Sequence, residues 1–118
     1  MSLNINTKTF NADSYQKDRV SYIGPAHTLS LKDVATLSRT PPKATSVYSG
    51  KARTSAKLER TMALAGALTP SDVAIVSIEV AVPVGAASGD IDALLNDMGS
   101  FLSSPACKLH VKNQTVAF

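Results

Sequence analysis

The sequence predicts an α+β protein, with an antiparallel sheet first and two helices last. Three observations carry this. Val73 to Val84, VAIVSIEVAVPV, holds five Val and two Ile, the composition of a strand. No long helical stripe precedes it. After it, Ile91, Leu94, Leu95, Met98 and Leu102 recur at helical spacing. At 118 residues the chain has the length of one domain. The expectation is a single domain over 1–118, with strands within about 3–84 and helices within about 88–113.

Each element has its own justification. Leu3 to Phe10 alternates Leu3 and Ile5 with polar positions and reads as a strand. Gln16 to Ile23 carries Val20, Tyr22 and Ile23 ahead of the turn signal Gly24-Pro25. In Thr28 to Leu37, Leu29 and Leu31 have period two, while Val34 and Leu37 fit either period. Pro41-Pro42 breaks the chain. Thr45 to Arg53 puts Thr45, Val47, Ser49, Lys51 and Arg53 on one face of a strand. Arg53-Thr54-Ser55-Ala56 reads as a hairpin turn. On the return strand Lys57, Glu59 and Thr61 alternate with Leu58, Arg60, Met62 and Leu64. One face of this hairpin is then polar and basic and the other apolar or small, with Arg60 discordant. Ala65 to Asp72 is a loop, and Pro83 marks the end of the last strand.

Ser88 reads as an N-cap, with Asp90 and Asp92 at the positive end of the helix that follows. Gly99 lies inside that helix, where a close helix–helix or helix–sheet approach is one reason for it. Ser104-Pro105 reads as N-cap and first residue of a second short helix, and Lys108 and Lys112 suit its C-terminal end. Two helices cover one face of a sheet, which leaves the polar side of the hairpin open.

Charge is segregated. The net charge is only +3. Yet Arg39, Lys43, Lys51, Arg53, Lys57 and Arg60 face a single acid, Glu59, whereas Asp72 to Asp97 contains five acids and no Lys or Arg. Such a basic region suits a polyanion. The plainer reading is a solvated charged surface. Low aromatic content and the absence of Trp limit the core. Burial against a second copy and a self-sufficient monomer are both open on this ground.

Little chemistry is on offer. Cys107 is alone, so no internal disulfide forms. His110 follows it at helical spacing, but no further ligands lie near, and a closed zinc site needs four. His27 reads as a loop residue. No phosphate loop, dinucleotide fingerprint, HExxH or nucleophile elbow occurs. The reading is no enzyme, no metal and no cofactor. The N-terminus resembles no secretory signal and no apolar run approaches a membrane span, so a soluble protein without a membrane partner is expected.

The run IEVAVPVGAASGDIDALLNDMGSFLSSPACKLHVKNQTVAF resembles the C-terminal third of coat proteins of small single-stranded RNA bacteriophages, the levivirus type. Pro83, Leu94-Leu95, Leu102, Ser104-Pro105 and Phe118 follow the family's order, and KATSVYSGKARTSAKLERTMAL looks like its RNA-facing strand pair. The resemblance implies an N-terminal hairpin and a five-stranded antiparallel sheet followed by two C-terminal helices, in an interlocked dimer. It implies self-assembly into an icosahedral shell around a single-stranded RNA genome, in the bacterial host cytoplasm, with a virion as destination. It also implies binding of a genomic RNA hairpin that represses replicase translation. The residues it assigns to RNA are Lys43, Thr45, Ser49, Lys51, Arg53, Lys57, Thr61 and Ser77. Ile91, Leu94, Leu95, Met98 and Leu102 are assigned to the dimer interface, and Gly66, Thr69 and Pro70 to a loop between dimers. Three matched positions depart from the family pattern. Glu59 repels phosphate, Val47 has no hydrogen-bonding group, and Ile75 stands where some relatives have a stacking aromatic. These departures speak against the family's hairpin specificity, and the basic residues Lys51, Arg53 and Lys57 near the turn point to less selective phosphate binding. The alternative is a non-viral dimeric RNA-binding regulator that uses the same face.

Overall fold

The computed structural model describes residues 2–47, 50–66 and 68–117. The chain divides into two compact units, 1–84 and 85–118. The first holds six strands among the described residues: β1 (Ser2–Ile5), β2 (Lys8–Gln16), β3 (Arg19–Ile23), β4 (Asp33–Thr40), β5 (Lys51–Ala63) and β6 (Ser71–Pro83). They form one antiparallel sheet in chain order. The second unit holds α1 (Ser88–Ser103) and α2 (Pro105–Asn113). The α+β order with helices last is as expected. The strand count differs, because the N-terminal hairpin is part of one six-stranded sheet rather than an addition to five strands.

Leu3 to Phe10 is two strands, not one. Asn6 and Thr7 have φ of 50° and 65°, the left-handed pair that a two-residue hairpin turn requires. Asn adopts that conformation at low cost, but β-branched Thr7 hid the turn. Lys17-Asp18 likewise separates β2 from β3, with Gln16 opposite Arg19. A bulge between Ala12 and Ser14 bends β2.

The hairpin expected over Thr45–Leu64 is absent. Lys51–Ala63 is one strand, paired with β4 on one side and β6 on the other. The proposed turn, Arg53-Thr54-Ser55-Ala56, contains no Gly, Pro, Asn or Asp to favour turn backbone. Thr54 is β-branched, and neighbours on both sides satisfy the strand's polar groups. The chain spends its positive φ values at Gly50 (92°) and Gly66 (76°) instead. Residues 41–47 are irregular or bent, so Lys43, Thr45 and Val47 lie outside any strand. Tyr48 and Ser49 lie outside the described residues.

Strand parity builds the core. Register places Leu3 beside Phe10, Ala12 beside Tyr22, Tyr22 beside Ala35 and Ala35 beside Leu58. Phe10, Tyr22 and Ala35 are buried, with Leu3, Ile5, Ala12, Val20 and Leu58 packed against them. Asp33, 1% exposed, sits on the same face. Arg60 Nε donates to its Oδ1 at 3.3 Å, which accounts for a basic residue on the apolar side of β5, since a buried charge needs a partner. Gly24 makes room for this pair. A Cβ there would lie 2.4 Å from Asp33 Oδ2 and 2.7 Å from Phe10 Cε2.

In the second unit, the cap position of α1 is Ala87, which has no side-chain cap bond, and Ser88 is already helical. The expected Ser88 cap is therefore displaced by one residue. Asp90 does lie in the first turn. Beyond its own helical turn, a Cβ on Gly99 would meet no atom of the described residues within 4 Å, so no close approach among them requires that glycine. The α2 start is as expected. Ser104 Oγ accepts from Cys107 N at 3.2 Å, and Pro105 is the first helical residue. Cys107 is buried, while His110 is exposed with Nδ1 2.9 Å from Thr115 O. No helix among the described residues is long and apolar enough to cross a membrane.

Candidate nucleic-acid interface

The odd-numbered residues of β5 face away from the core, and register extends that face across the sheet. Lys57 lies between Thr36 of β4 and Ser77 of β6, and Thr36 lies beside Ser21 of β3. The next row is Arg19, Ser38, Ser55 and Glu79, followed by Thr40, Arg53 and Ala81. Lys51 lies opposite Pro83. In the other direction the row is Ile23, Val34, Glu59 and Ile75, then Thr61 beside Val73. The wrong turn therefore did no harm to the face. Residues 53 and 57 are an even number of positions apart, and a straight strand puts them on the same side.

Of the residues expected at RNA, Lys51, Arg53, Lys57, Thr61 and Ser77 share this face. Lys43 reaches its edge from the irregular segment before β5. Thr45 and Val47 belong to that segment as well, and Ser49 is outside the described residues. Sequence reasoning missed Lys32, Arg19, Ser21, Thr36, Ser38 and Thr40. The signal was the alternation Thr36, Ser38, Thr40 in β4, obscured by taking Thr28 to Leu37 as the strand.

The hydroxyls are organised. Ser38 and Ser55 bond to each other, and Ser21 Oγ lies 3.4 Å from Thr36 Oγ1. Thr61 Oγ1 accepts from Lys32 N at 2.8 Å, and Thr61 N donates to Lys32 O at 2.9 Å. These bonds carry Lys32 to the face beside Glu59. The Glu59 carboxylate is held by Lys32 Nζ and by Lys57 Nζ, the latter at 3.2 Å. Hydrogen bonds first from Lys32 and then from Lys57 hold its pKa below the ordinary carboxylate value. Arg53 Nη1 donates to Glu79 Oε1 at 3.0 Å. Glu59 is thus not an isolated repulsive charge but the centre of a cluster with net positive charge.

A second basic feature lies at the corner of the sheet. Thr40, Pro41, Lys43, Gly50, Lys51 and Arg53 line an open cleft. At Gly50, with φ of 92°, a Cβ would stand 2.8 Å from Lys43 O, so the irregular segment closes backbone against backbone there. Gly50 O accepts from Val84 N at 3.1 Å. Among the described residues neither Lys43 nor Lys51 has an acidic partner within ion-pair distance.

The loop residues Gly66, Thr69 and Pro70 connect β5 to β6, and the loop is closed by Leu64 N donating to Pro70 O at 2.8 Å. Asp72, expected in this loop, is already in β6. In α1, Leu94, Leu95, Met98 and Leu102 are exposed and Ile91 is half-buried. The helix buries none of its residues within the chain.

No protein-family model and no curated protein matches the sequence. Solved structures do resemble the fold. A virus-like particle protein of Beihai levi-like virus 32 is 19% identical, with TM-score 0.82, over 96% of this chain and 91% of that one. A virus-like particle protein of Wenzhou levi-like virus 4 is 20% identical, with TM-score 0.75, over 92% and 76%. The coat protein of bacteriophage EMS014 is 17% identical, with TM-score 0.58, over 80% and 63%. The order of strands and helices, their register and these likenesses agree: the chain has the RNA phage coat-protein fold.

Proposed function

We propose that the chain is a capsid subunit that dimerises and assembles into an icosahedral shell around single-stranded RNA. The observation that carries this reading is the likeness to a virus-like particle protein over 96% of the chain. The role is structural, without a reaction, cofactor or membrane partner. It implies a virion, assembled in the cytoplasm of a bacterial host.

Two features support dimerisation. The apolar stripe of α1, Ile91, Leu94, Leu95, Met98 and Leu102, lacks burial within the chain, as do Leu37, Val76 and Ile78 on the core-side face of the sheet. Exposed apolar surface of this extent marks an interface. The outer edge of β6 pairs with no other described strand of the chain, and such an edge templates pairing with another chain. Two sheets joined at β6, with helices of each subunit crossing the other, satisfy both. The β5–β6 loop, with Gly66, Thr69 and Pro70, then forms contacts between dimers.

RNA lies against the polar face. Lys43, Lys51 and Arg53 offset phosphate charge, Lys57 does so in competition with its pairing to Glu59, and Thr61, Ser77 and Thr45 offer hydroxyls. A genomic hairpin held there would repress replicase translation. Ile75 offers a base neither a ring nor a hydrogen-bonding group, so the contacts fall to the cations around it. Purified protein should give uniform particles containing host RNA on size exclusion and electron microscopy. Monomers or dimers alone, across salt and concentration, would refute the capsid reading and favour a dimeric RNA-binding regulator.

A further inference from the structure

The geometry points to a backbone-reading subsite. Resting on the capsid reading above, we infer that the corner cleft of Thr40, Lys43, Gly50, Lys51 and Arg53 binds the phosphodiester chain of single-stranded RNA without regard to base. The central Lys57 is held in reserve by Glu59.

Three cations line one cleft. Lys43 and Lys51 have no acidic partner among the described residues, and Arg53 spends one nitrogen on Glu79 at 3.0 Å. A guanidinium has five N–H donors, so its other edge is available to a phosphate oxygen. Thr40 lies directly opposite Arg53 and adds a hydroxyl on the same face. The frame is set by backbone. Gly50 at φ 92° brings the chain against Lys43 O, C and N, where a Cβ would stand 2.8, 3.0 and 3.1 Å away. The bond from Val84 N to Gly50 O ties the loop to the end of β6. Among the described residues that line the cleft none is aromatic, and the groups present are cations and a hydroxyl suited to phosphate.

The middle of the face is different in kind. Lys57 and Lys32 both close on Glu59, and a phosphate arriving there competes with a carboxylate already in place. The two basic zones of β5, four residues apart, therefore make unequal contributions. This split was not visible in the charge run, which counts Lys51, Arg53 and Lys57 alike.

The test is the salt dependence of binding of the full-length protein to 20-nucleotide oligouridylate and oligoadenylate, with the RNA content of purified particles measured alongside. Loss of two phosphate contacts from a single strand reduces the log–log salt slope by about 1.4. Lys43→Ala/Lys51→Ala is expected to show that reduction equally on both oligonucleotides. Gly50→Ala, which leaves every charge in place, should weaken both. Lys57→Ala should change the slope by clearly less than the about 0.7 that loss of one full phosphate contact gives. Wild-type protein that binds neither oligonucleotide at any salt overturns the RNA reading and this subsite together. Wild-type binding in which Lys57→Ala lowers the slope by about 0.7 or more, or a loss confined to one oligonucleotide, overturns the subsite alone.

Discussion

Replacing Glu59 by Gln isolates the charge that restrains the middle of the proposed RNA face. Glu59 holds two ammonium groups, Lys32 and Lys57, and its side chain is 14% exposed while theirs are 46% and 45% exposed. Gln keeps the shape and removes the charge. Two cations then become free to meet phosphate, and the salt slope for a single strand steepens by at most about 1.4. If affinities converge at 1 M salt, that slope gives up to about 25-fold tighter binding at 0.1 M. The loss to the fold is small, because pairs with half-exposed partners contribute about 0–1 kcal/mol. The sign of the pH effect follows from the lowered pKa of Glu59. Its contribution to stability is fully present above the unfolded carboxylate value, near about 4.3, and is lost as pH falls through the folded value. Glu59→Gln should therefore be less stable than wild type at neutral pH and should approach it as pH falls below about 4. Fluorescence anisotropy against salt and denaturant melts at several pH values measure both effects. Binding that is unchanged or weaker in the variant, with the fold intact, would refute the idea that Glu59 withholds these lysines.

Other perturbations test the fold and the assembly. Gly24→Ala inserts a Cβ 2.4 Å from Asp33 Oδ2 and 2.7 Å from Phe10 Cε2, both on buried residues, and overpacking of this kind destabilises by about 1–3 kcal/mol; an unchanged denaturation midpoint would count against it. Ser104→Ala removes the acceptor for Cys107 N, worth about 0.5–2 kcal/mol, and hydrogen exchange at the start of α2 should accelerate. Gly99→Ala meets no atom of the described residues beyond its own helical turn and should stabilise α1 by about 1 kcal/mol; loss of particles with the helix intact would instead place a partner against Gly99. Leu95→Asp with Met98→Asp puts two charges on the exposed stripe of α1 and should yield monomers by light scattering; an undisturbed dimer would move the interface elsewhere.

The legible parts of this fold were those whose signals are local. Val73 to Val84 announces β6 by composition alone, and Ser104-Pro105 announces α2 because cap and first residue are adjacent. The misread part, β5, looks locally like two short strands and a turn. What keeps it straight is pairing with β4 and β6, which a single-sequence pattern does not contain. The basic face was still legible, because parity along a strand survives an error in where the chain turns. The ion pairs were not. Arg60 looked discordant because Asp33, its partner, is 27 residues away, and Lys32 was overlooked because only the β4–β5 register brings it to Glu59. Lys43 lies beside Lys51 and Arg53 because a glycine-closed loop, and not the expected strand, delivers it.

The same long strand explains why the chain leaves so much apolar surface exposed. Period-two alternation over Lys51–Ala63 and Ser71–Pro83 gives the sheet one polar face and one with Ala56, Leu58, Val76, Ile78 and Val80. The core that the chain builds on that second face is small. Among the described residues only Phe10, Tyr22 and Ala35 of its sheet hydrophobics are buried. Val76 stays 56% exposed and Ile78 39%, and α1 contributes no buried residue. Burial of apolar area is the main favourable term in folding, and it is the term the isolated chain leaves unspent, on both the sheet and the helix. A partner that covers these surfaces and the β6 edge therefore adds more stability than any ion pair on the polar face. In the proposed capsid, assembly and RNA binding use opposite sides of one layer, so charge changes at Lys43, Lys51 or Glu59 should alter RNA content without altering dimerisation.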